Sequence, residues 1–286
     1  MRFLKDIENQ AISIKKMSII KAFLVMIVSV LLEAFGQIPI EILKIFSRQF
    51  THVGAYIDFA FGVVVKYFII ILLLKWYSKK SDHKELKEPL RHKQNLNRKN
   101  FICIALIIIA FRLIYDNSLL YWVNKIPMPD FIIQAFEEMS MEPITMILSV
   151  AIIAPIYEEV IFRGILLKGM SRKMNPKLAI IVSALFFAVL HLNIPQGINA
   201  FLLGLVIGAI YLSTGSIYLS IFAHFVNNSV GISISGFFAS ISGKYSILSH
   251  GVAFIVGVII LTAVYRWYKQ SETENELPIY REFKEL

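Results

Sequence analysis

The sequence predicts an all-α, polytopic bundle of membrane helices, and three observations carry that prediction. Of the 286 residues, 57% are apolar and 17% charged, against roughly 45–50% and 25% for an ordinary soluble domain. Residues 178–243 hold 66 positions without a single Asp, Glu, Lys or Arg, which a soluble fold of this size has no core to hide. The long apolar runs, such as 104–111 and 201–210, do not alternate with polar residues, so helices are expected rather than the strands of a membrane barrel. The same apolar excess excludes intrinsic disorder. One cysteine, Cys103, excludes a disulfide scaffold or a cysteine-based zinc finger; within its apolar run it packs as a small hydrophobe.

A bilayer core of roughly 30 Å takes about 20 mostly apolar residues per helix. Eight spans are expected, over residues 18–38, 54–77, 101–122, 143–167, 178–192, 197–213, 217–240 and 246–266. The fifth and sixth are short. The first is read as a retained helix rather than a cleaved signal, since no small-residue cleavage site follows it. The domain reading is an N-terminal region 1–130 with three spans, a catalytic core 131–268, and a solvated cytoplasmic tail 269–286.

Charge sets the expected orientation. Arg2, Lys5, Lys15 and Lys16 precede span one. Lys79, Lys80, Lys84, Lys87, Arg91, Lys93, Arg98 and Lys99 lie between spans two and three. Four bases occupy 168–177, and Arg266 and Lys269 follow span eight. With eight spans all four segments fall on one side, leaving Asp130, Glu137, Glu138 and Glu142 opposite. That pattern places both termini in the cytoplasm. The net charge of +9 thus reflects topology and contact with anionic lipids, and no nucleic-acid partner is expected. Richness in Ile, Lys and Asn suggests a bacterial plasma membrane.

Ionisable groups inside a span are costly and mark functional sites by default. Several have simpler readings. Glu33 is near an interface, and Asp58 and Lys66 pair with other helices. Arg112 and Asp116, four apart, pair along one helix face. His250 is interfacial. A second group is different. Span four carries Pro155, Glu158, Glu159 and Arg163; span five ends at His191; span seven holds His224 and Asn228. Glu159 and Arg163 share a face and neutralise each other, leaving Glu158 free. Pro155 removes a backbone hydrogen bond and opens the helix locally. Counted from the hairpin near 174–175, Glu158 and His191 are each about 16 residues away and so stand at similar height, at roughly 1.5 Å per residue. His224 and Asn228 come within a few residues of that level.

This constellation has more than one chemical reading. The carboxylate serves as a general base toward water, and imidazole and amide N–H groups stabilise an oxyanion. Alternatively Glu158, His191 and His224 are three ligands of a catalytic zinc with one open position. A satisfied polar cluster that holds four helices together is the bland alternative. The sequence contains no His-Glu-x-x-His helix and no Gly-x-Ser-x-Gly elbow.

Glu158-Glu159-x-x-x-Arg163, Phe187-x-x-x-His191 and His224-x-x-x-Asn228, in this order, resemble the motifs of the CPBP family. That family comprises CAAX prenyl endopeptidases and the bacteriocin-processing or immunity proteins also called Abi. Phe201-x-x-Gly204-x-x-x-Gly208-x-x-Tyr211 and Thr214-Gly215-Ser216 match as well, and the glycines suit close helix packing. The resemblance covers 143–236. It implies an intramembrane endopeptidase in which Glu158 activates water, assisted by His191, while His224 and Asn228 bind the oxyanion. Glu159 would orient the site through Arg163. The resemblance is compatible with a metal-free glutamate mechanism and with zinc. It implies a peptide or protein substrate, such as a bacteriocin, a pheromone or a leader peptide, or a role in self-immunity. The competing class is a non-catalytic membrane partner of a cell-envelope enzyme or sensor kinase. A transporter is disfavoured, since no inverted repeat is visible.

Overall fold

A computed structural model describes residues 1–46, 52–80, 96–241 and 247–275. Lys84, Lys87, Arg91 and Lys93 of the basic segment, and the tail beyond residue 275, lie outside the described residues. In chain order the elements are α1 (Arg2–Glu8), β1 (Ile12–Ile14), α2 (Ile19–Phe46), α3 (His52–Tyr77) and β2 (Ser78–Lys80). Next come α4 (Arg98–Asp116), α5 (Leu119–Val123), α6 (Asp130–Ser140) and the composite helix α7 (Pro143–Ser171). The last are α8 (Pro176–Val189), α9 (Ile194–Thr214), α10 (Ile217–Ile241) and α11 (Ile247–Asn275). The architecture is the all-α membrane bundle that composition predicts.

Five stretches are long and apolar enough to cross a membrane: Ile19–Leu43, Gly54–Tyr77, Pro143–Ser171, Ile194–Thr214 and Leu248–Trp267. Two shorter apolar helices, Pro176–Val189 and Ile217–Ile232, coincide with the fifth and seventh expected spans. The third expected span is shorter than its apolar run. The chain leaves α4 at Asn117, where the Asn117 Nδ2 and Ser118 Oγ groups donate to the carbonyls of Leu113 and Ile114 at 2.8 and 2.5 Å. Such side-chain bonds to the preceding turn compete with helix continuation. The antiparallel ribbon β1–β2, with Ile12 opposite Lys80 and Ile14 opposite Ser78, has no counterpart in the sequence reading.

The chain divides into two compact units. One comprises 1–94 and 127–225, the other 95–126 and 226–286. In the first, α2 packs on α3, and α8 lies antiparallel to α9 and against α7. The α8–α9 approach is close because Gly204 has no side chain: a Cβ there would stand 3.0 Å from the Ala184 Cβ and 3.1 Å from its Cα. Gly208 meets Ile180 in the same way, with 3.0 Å to its Cγ2. Gly215, at φ 66°, ends α9 in the left-handed conformation and sets up the turn into α10, a position that a β-carbon disfavours. In the second unit, α4 packs along α11. Arg112 there pairs with Asp116 at 3.0 Å, as the spacing of four predicts. His250 Nδ1 is 2.8 Å from the Asn117 side-chain oxygen.

Helix α7 is not a uniform α-helix. Over Leu148–Ile153 and Val160–Leu167 it is wound with i→i+5 hydrogen bonds, and the α-helical turn Ala154–Glu159 lies between. Pro155 starts that turn without an N–H to give, so the winding around it loosens. Wide turns of this kind are rare and concentrate at functional sites. A backbone carbonyl within the second wide stretch, that of Phe162, accepts a hydrogen bond from Ser183 Oγ of α8 at 3.1 Å.

Candidate functional site

The centre of the first unit is a charged pair buried without access to solvent. Glu159 is 0% exposed and Arg163 1%. Arg163 Nη1 donates to Glu159 Oε1 at 2.9 Å. Its Nη2 donates to the Gly204 carbonyl at 3.3 Å, and the guanidinium lies 4.9 Å from the centre of the Phe187 ring. Arg suits this place because its planar fork pairs with a carboxylate and stacks on an aromatic face at once.

The same Glu159 oxygen reaches a third element. His224 of α10 places Nδ1 2.8 Å from Glu159 Oε1. A carboxylate paired with arginine only accepts, so Nδ1 carries the proton, and the ring's Nε2 turns the other way. It faces Glu158 Oε2 at 3.7 Å, which is longer than a hydrogen bond. Both atoms are therefore open to a reacting group. Glu159 thus holds His224 directly and not only by way of Arg163, which refines the expectation drawn from the resemblance. The ionisable groups are two carboxyls and one guanidinium, with an imidazole between the carboxyls.

His191 sits just beyond the end of α8. Its Nδ1 is 2.9 Å from the Phe187 carbonyl, an acceptor, so the proton is on Nδ1 and Nε2 offers a lone pair when the ring is neutral. The turn after it is tight: Leu192 adopts φ 55°, a conformation that costs a non-glycine residue energy and clusters at functional sites. Asn193 holds the turn by donating from Nδ2 to the His191 carbonyl at 2.8 Å while its Oδ1 caps α9 through the Gln196 N–H at 2.9 Å. Glu158 is within electrostatic range of both His191 and His224.

Phe187 links these groups. Its ring meets Phe162, His191 and His224 edge to face, with centroid distances of 5.1, 5.1 and 5.6 Å. One ring therefore fixes both imidazoles and covers the guanidinium. Glu158, Glu159, Arg163, His191 and His224 all belong to this one cluster. Asn228 stands one turn beyond His224 on α10, in the second unit; its Oδ1 accepts from Asn227 Nδ2 at 3.0 Å. Beside Glu158 in sequence, the Tyr157 ring lies 5.3 Å from the Lys66 ammonium, and Lys66 forms an ion pair with Glu33. Lys66 thus pairs with another helix, as its place in a span leads one to expect.

The donors a zinc ion would need are Glu158, His191 and His224. Among the described residues no group of three or more His, Cys, Asp or Glu side chains stands where it could hold a metal ion. As placed, the set does not form a metal centre.

Asn193 and Phe187 are supporting residues that the sequence reading did not assign a role. For Asn193 a signal was present, because Asn followed by Pro195 two positions later reads as a helix start. Phe187 shows in sequence only as the first residue of Phe187-x-x-x-His191, a spacing that says nothing of its contacts.

Residues 140–230 match the family model described as Type II CAAX prenyl endopeptidase Rce1-like. The matched segment includes every residue of the cluster and supports membership of the CPBP family. No curated protein and no solved structure matches the chain.

Proposed function

We propose that this CPBP-family chain, a multi-pass membrane protein, is an intramembrane endopeptidase that cleaves a membrane-associated peptide by glutamate-activated water. The observation that carries the reading is the bridging imidazole: His224 is held on Nδ1 by the buried Glu159 carboxylate and presents Nε2 toward the Glu158 carboxylate 3.7 Å away.

Each residue has a role that its surroundings suit. Glu158 takes a proton from water as the water oxygen attacks the scissile carbonyl carbon. The Glu159 carboxylate stabilises positive charge on the His224 ring, so Nε2–H donates to the oxyanion that forms; a carboxylate that holds a histidine in one tautomer and supports its cationic form acts this way in hydrolase triads. Asn228 is the second oxyanion donor. The Glu158 proton then passes to the leaving amine as the C–N bond breaks. His191, with Nε2 free to accept, assists Glu158. Arg163 neutralises Glu159 and keeps the pair of carboxylates from repelling each other. The catalytic core is 131–268 within eight spans whose ends both face the cytoplasm. The suggested substrates are bacteriocins, peptide pheromones or leader peptides, and the suggested site of action is the bacterial plasma membrane.

The test compares membrane-bound and secreted peptides from cells carrying the wild-type protein and Glu158→Ala at equal expression. Peptides present only with the wild type support the reading. Identical peptide profiles from the two would overturn it and favour a non-catalytic partner of an envelope protein.

A further inference from the structure

The residues before span one lie outside the family match, yet they are built into the site's foundation. Helix α1 buries Phe3, Leu4 and Ile7, and with them Glu8, which is 3% exposed. The Glu8 side chain reaches the start of α10, the helix that bears His224. Its Oε2 accepts the backbone N–H of Ile217 at 2.9 Å and that of Tyr218 at 3.4 Å.

A helix start leaves four N–H groups without an intrahelical partner, and here all four are accounted for. The Ser216 N–H donates to Thr214 Oγ1 at 3.2 Å, and the Leu219 N–H to Ser216 Oγ at 3.2 Å. The two between them depend on Glu8, and Ile217 is 0% exposed, so water does not replace the acid there. A carboxylate also suits the positive end of the helix dipole. His224 follows Ile217 by seven residues, about 10 Å along the axis at 1.5 Å per residue.

The same N-terminal segment grips α7, which bears Glu158 and Glu159. Ile7 packs on Gly164, where an added Cβ would lie 3.7 Å from the Ile7 Cδ1 and 3.7 Å from the Ile217 Cδ1. The Met17 N–H donates to the Gly169 carbonyl at 2.9 Å. A Cβ on Gly169 would stand 2.9 Å from Met17 Cγ, so the strand of chain lies directly on the helix backbone.

From these contacts we infer that the N-terminal segment is a strap that sets α10 against α7, with Glu8 as a positioning residue that fixes the height of His224 relative to Glu158 and Glu159. The inference rests on the reading of His224 as an oxyanion donor for its catalytic consequence, but its geometric content stands apart from it. Glu8 touches no reacting atom. It acts by holding two backbone amides.

The test uses the full chain in lipid nanodiscs with isotope-labelled histidine, the His224 signal being assigned by its loss in His224→Gln. Glu8→Ala is expected to shift the His224 ring resonances, and Glu8→Gln, which keeps an acceptor oxygen, to leave them near the wild-type position. Activity is read on a quenched fluorescent peptide carrying a cleavage site found by the wild-type and Glu158→Ala comparison. Because small misplacements within a site cost up to about 10²-fold, Glu8→Ala is expected to lower kcat by about tenfold or more with KM within about twofold, and Glu8→Gln to restore most of the rate. Unshifted His224 resonances in Glu8→Ala, or wild-type kcat with shifted resonances, would overturn the inference. If wild type and Glu158→Ala yield the same peptides, the proposed function fails instead, and the positioning of His224 is then supported or refuted by the resonances alone.

Discussion

Arg163→Met is the substitution whose cost follows most directly from the structure. Met nearly preserves the length of the apolar stem but removes both donors. It deletes the 2.9 Å bond to Glu159 and the 3.3 Å bond to the Gly204 carbonyl, together with the guanidinium over Phe187. What remains is a Glu159 carboxylate with no exposure and, among the described residues, His224 as its neighbouring donor. Breaking a buried pair by removing one partner costs about 3–5 kcal/mol, because the surviving charge has no compensation. Replacing both partners is different: the double variant Glu159→Gln/Arg163→Met removes the buried Glu159 charge together with its partner, and buried pairs exchanged for neutral groups are often tolerated. The double variant should therefore be more stable than Arg163→Met alone. The measurement is reversible unfolding of the detergent-solubilised protein by SDS, followed by circular dichroism, over the four-member cycle. A single-variant cost below about 1 kcal/mol, the range of an exposed pair, would refute the burial argument. So would a double variant no more stable than Arg163→Met.

Three further outcomes are expected. Phe187→Ala removes the ring that meets Phe162, both imidazoles and Arg163, and should cost about 3–5 kcal/mol in the same unfolding assay; Phe187→Leu should recover part of that stability but not the edge-to-face contacts. Gly204→Val places atoms where Ala184 already stands 3.0 Å from a Cβ, so it should destabilise by about 1–3 kcal/mol as an overpacked site, whereas Gly251→Ala, with nothing within 4 Å of its Cβ, should be close to neutral. Burial pushes the Glu8 carboxyl above the ordinary glutamate range, against the opposing pull of its bonds to Ser216, Tyr218 and Ile217 and the nearby Lys168. A group whose folded pKa is raised contributes stability that is fully present below its unfolded pKa, about 4.3 for glutamate, and is lost as pH rises through the folded value. Wild-type stability should thus fall more steeply from pH 4 upward than that of Glu8→Gln, and parallel curves would contradict the assignment.

Much of the site was legible because charges in an apolar run are few and must be placed. Glu159 and Arg163 four residues apart could only pair, and counting from the hairpin brought Glu158 and His191 to similar height. The helical bundle followed from the absence of charge over 178–243. Other features left no local trace. The first wide turn, Leu148–Ile153, lies where Pro155 denies a hydrogen bond to the preceding turn, and Pro fixes where a helix loosens but not how; the second, Val160–Leu167, follows from no such residue. The bond from His224 to Glu159 joins residues 65 apart in sequence, and nothing in either motif says which ring nitrogen faces which carboxylate. Glu8 was invisible for a related reason. In a short, basic N-terminal stretch it reads as a surface charge, and its partners are backbone amides, which every residue carries. The end of α4 at Asn117, within a run apolar enough to continue, is decided by side-chain bonds to the preceding turn.

The central claim is that Glu158 activates the attacking water. Its most direct test is the cleavage rate of purified protein in liposomes on the identified peptide, wild type against Glu158→Gln, with metal content measured on the same samples. Loss of a general base lowers rate by about 10²–10⁴-fold, and a fall in that range is expected for Glu158→Gln, with folding unchanged by circular dichroism. Cleavage by Glu158→Gln within a few-fold of wild type would contradict the account.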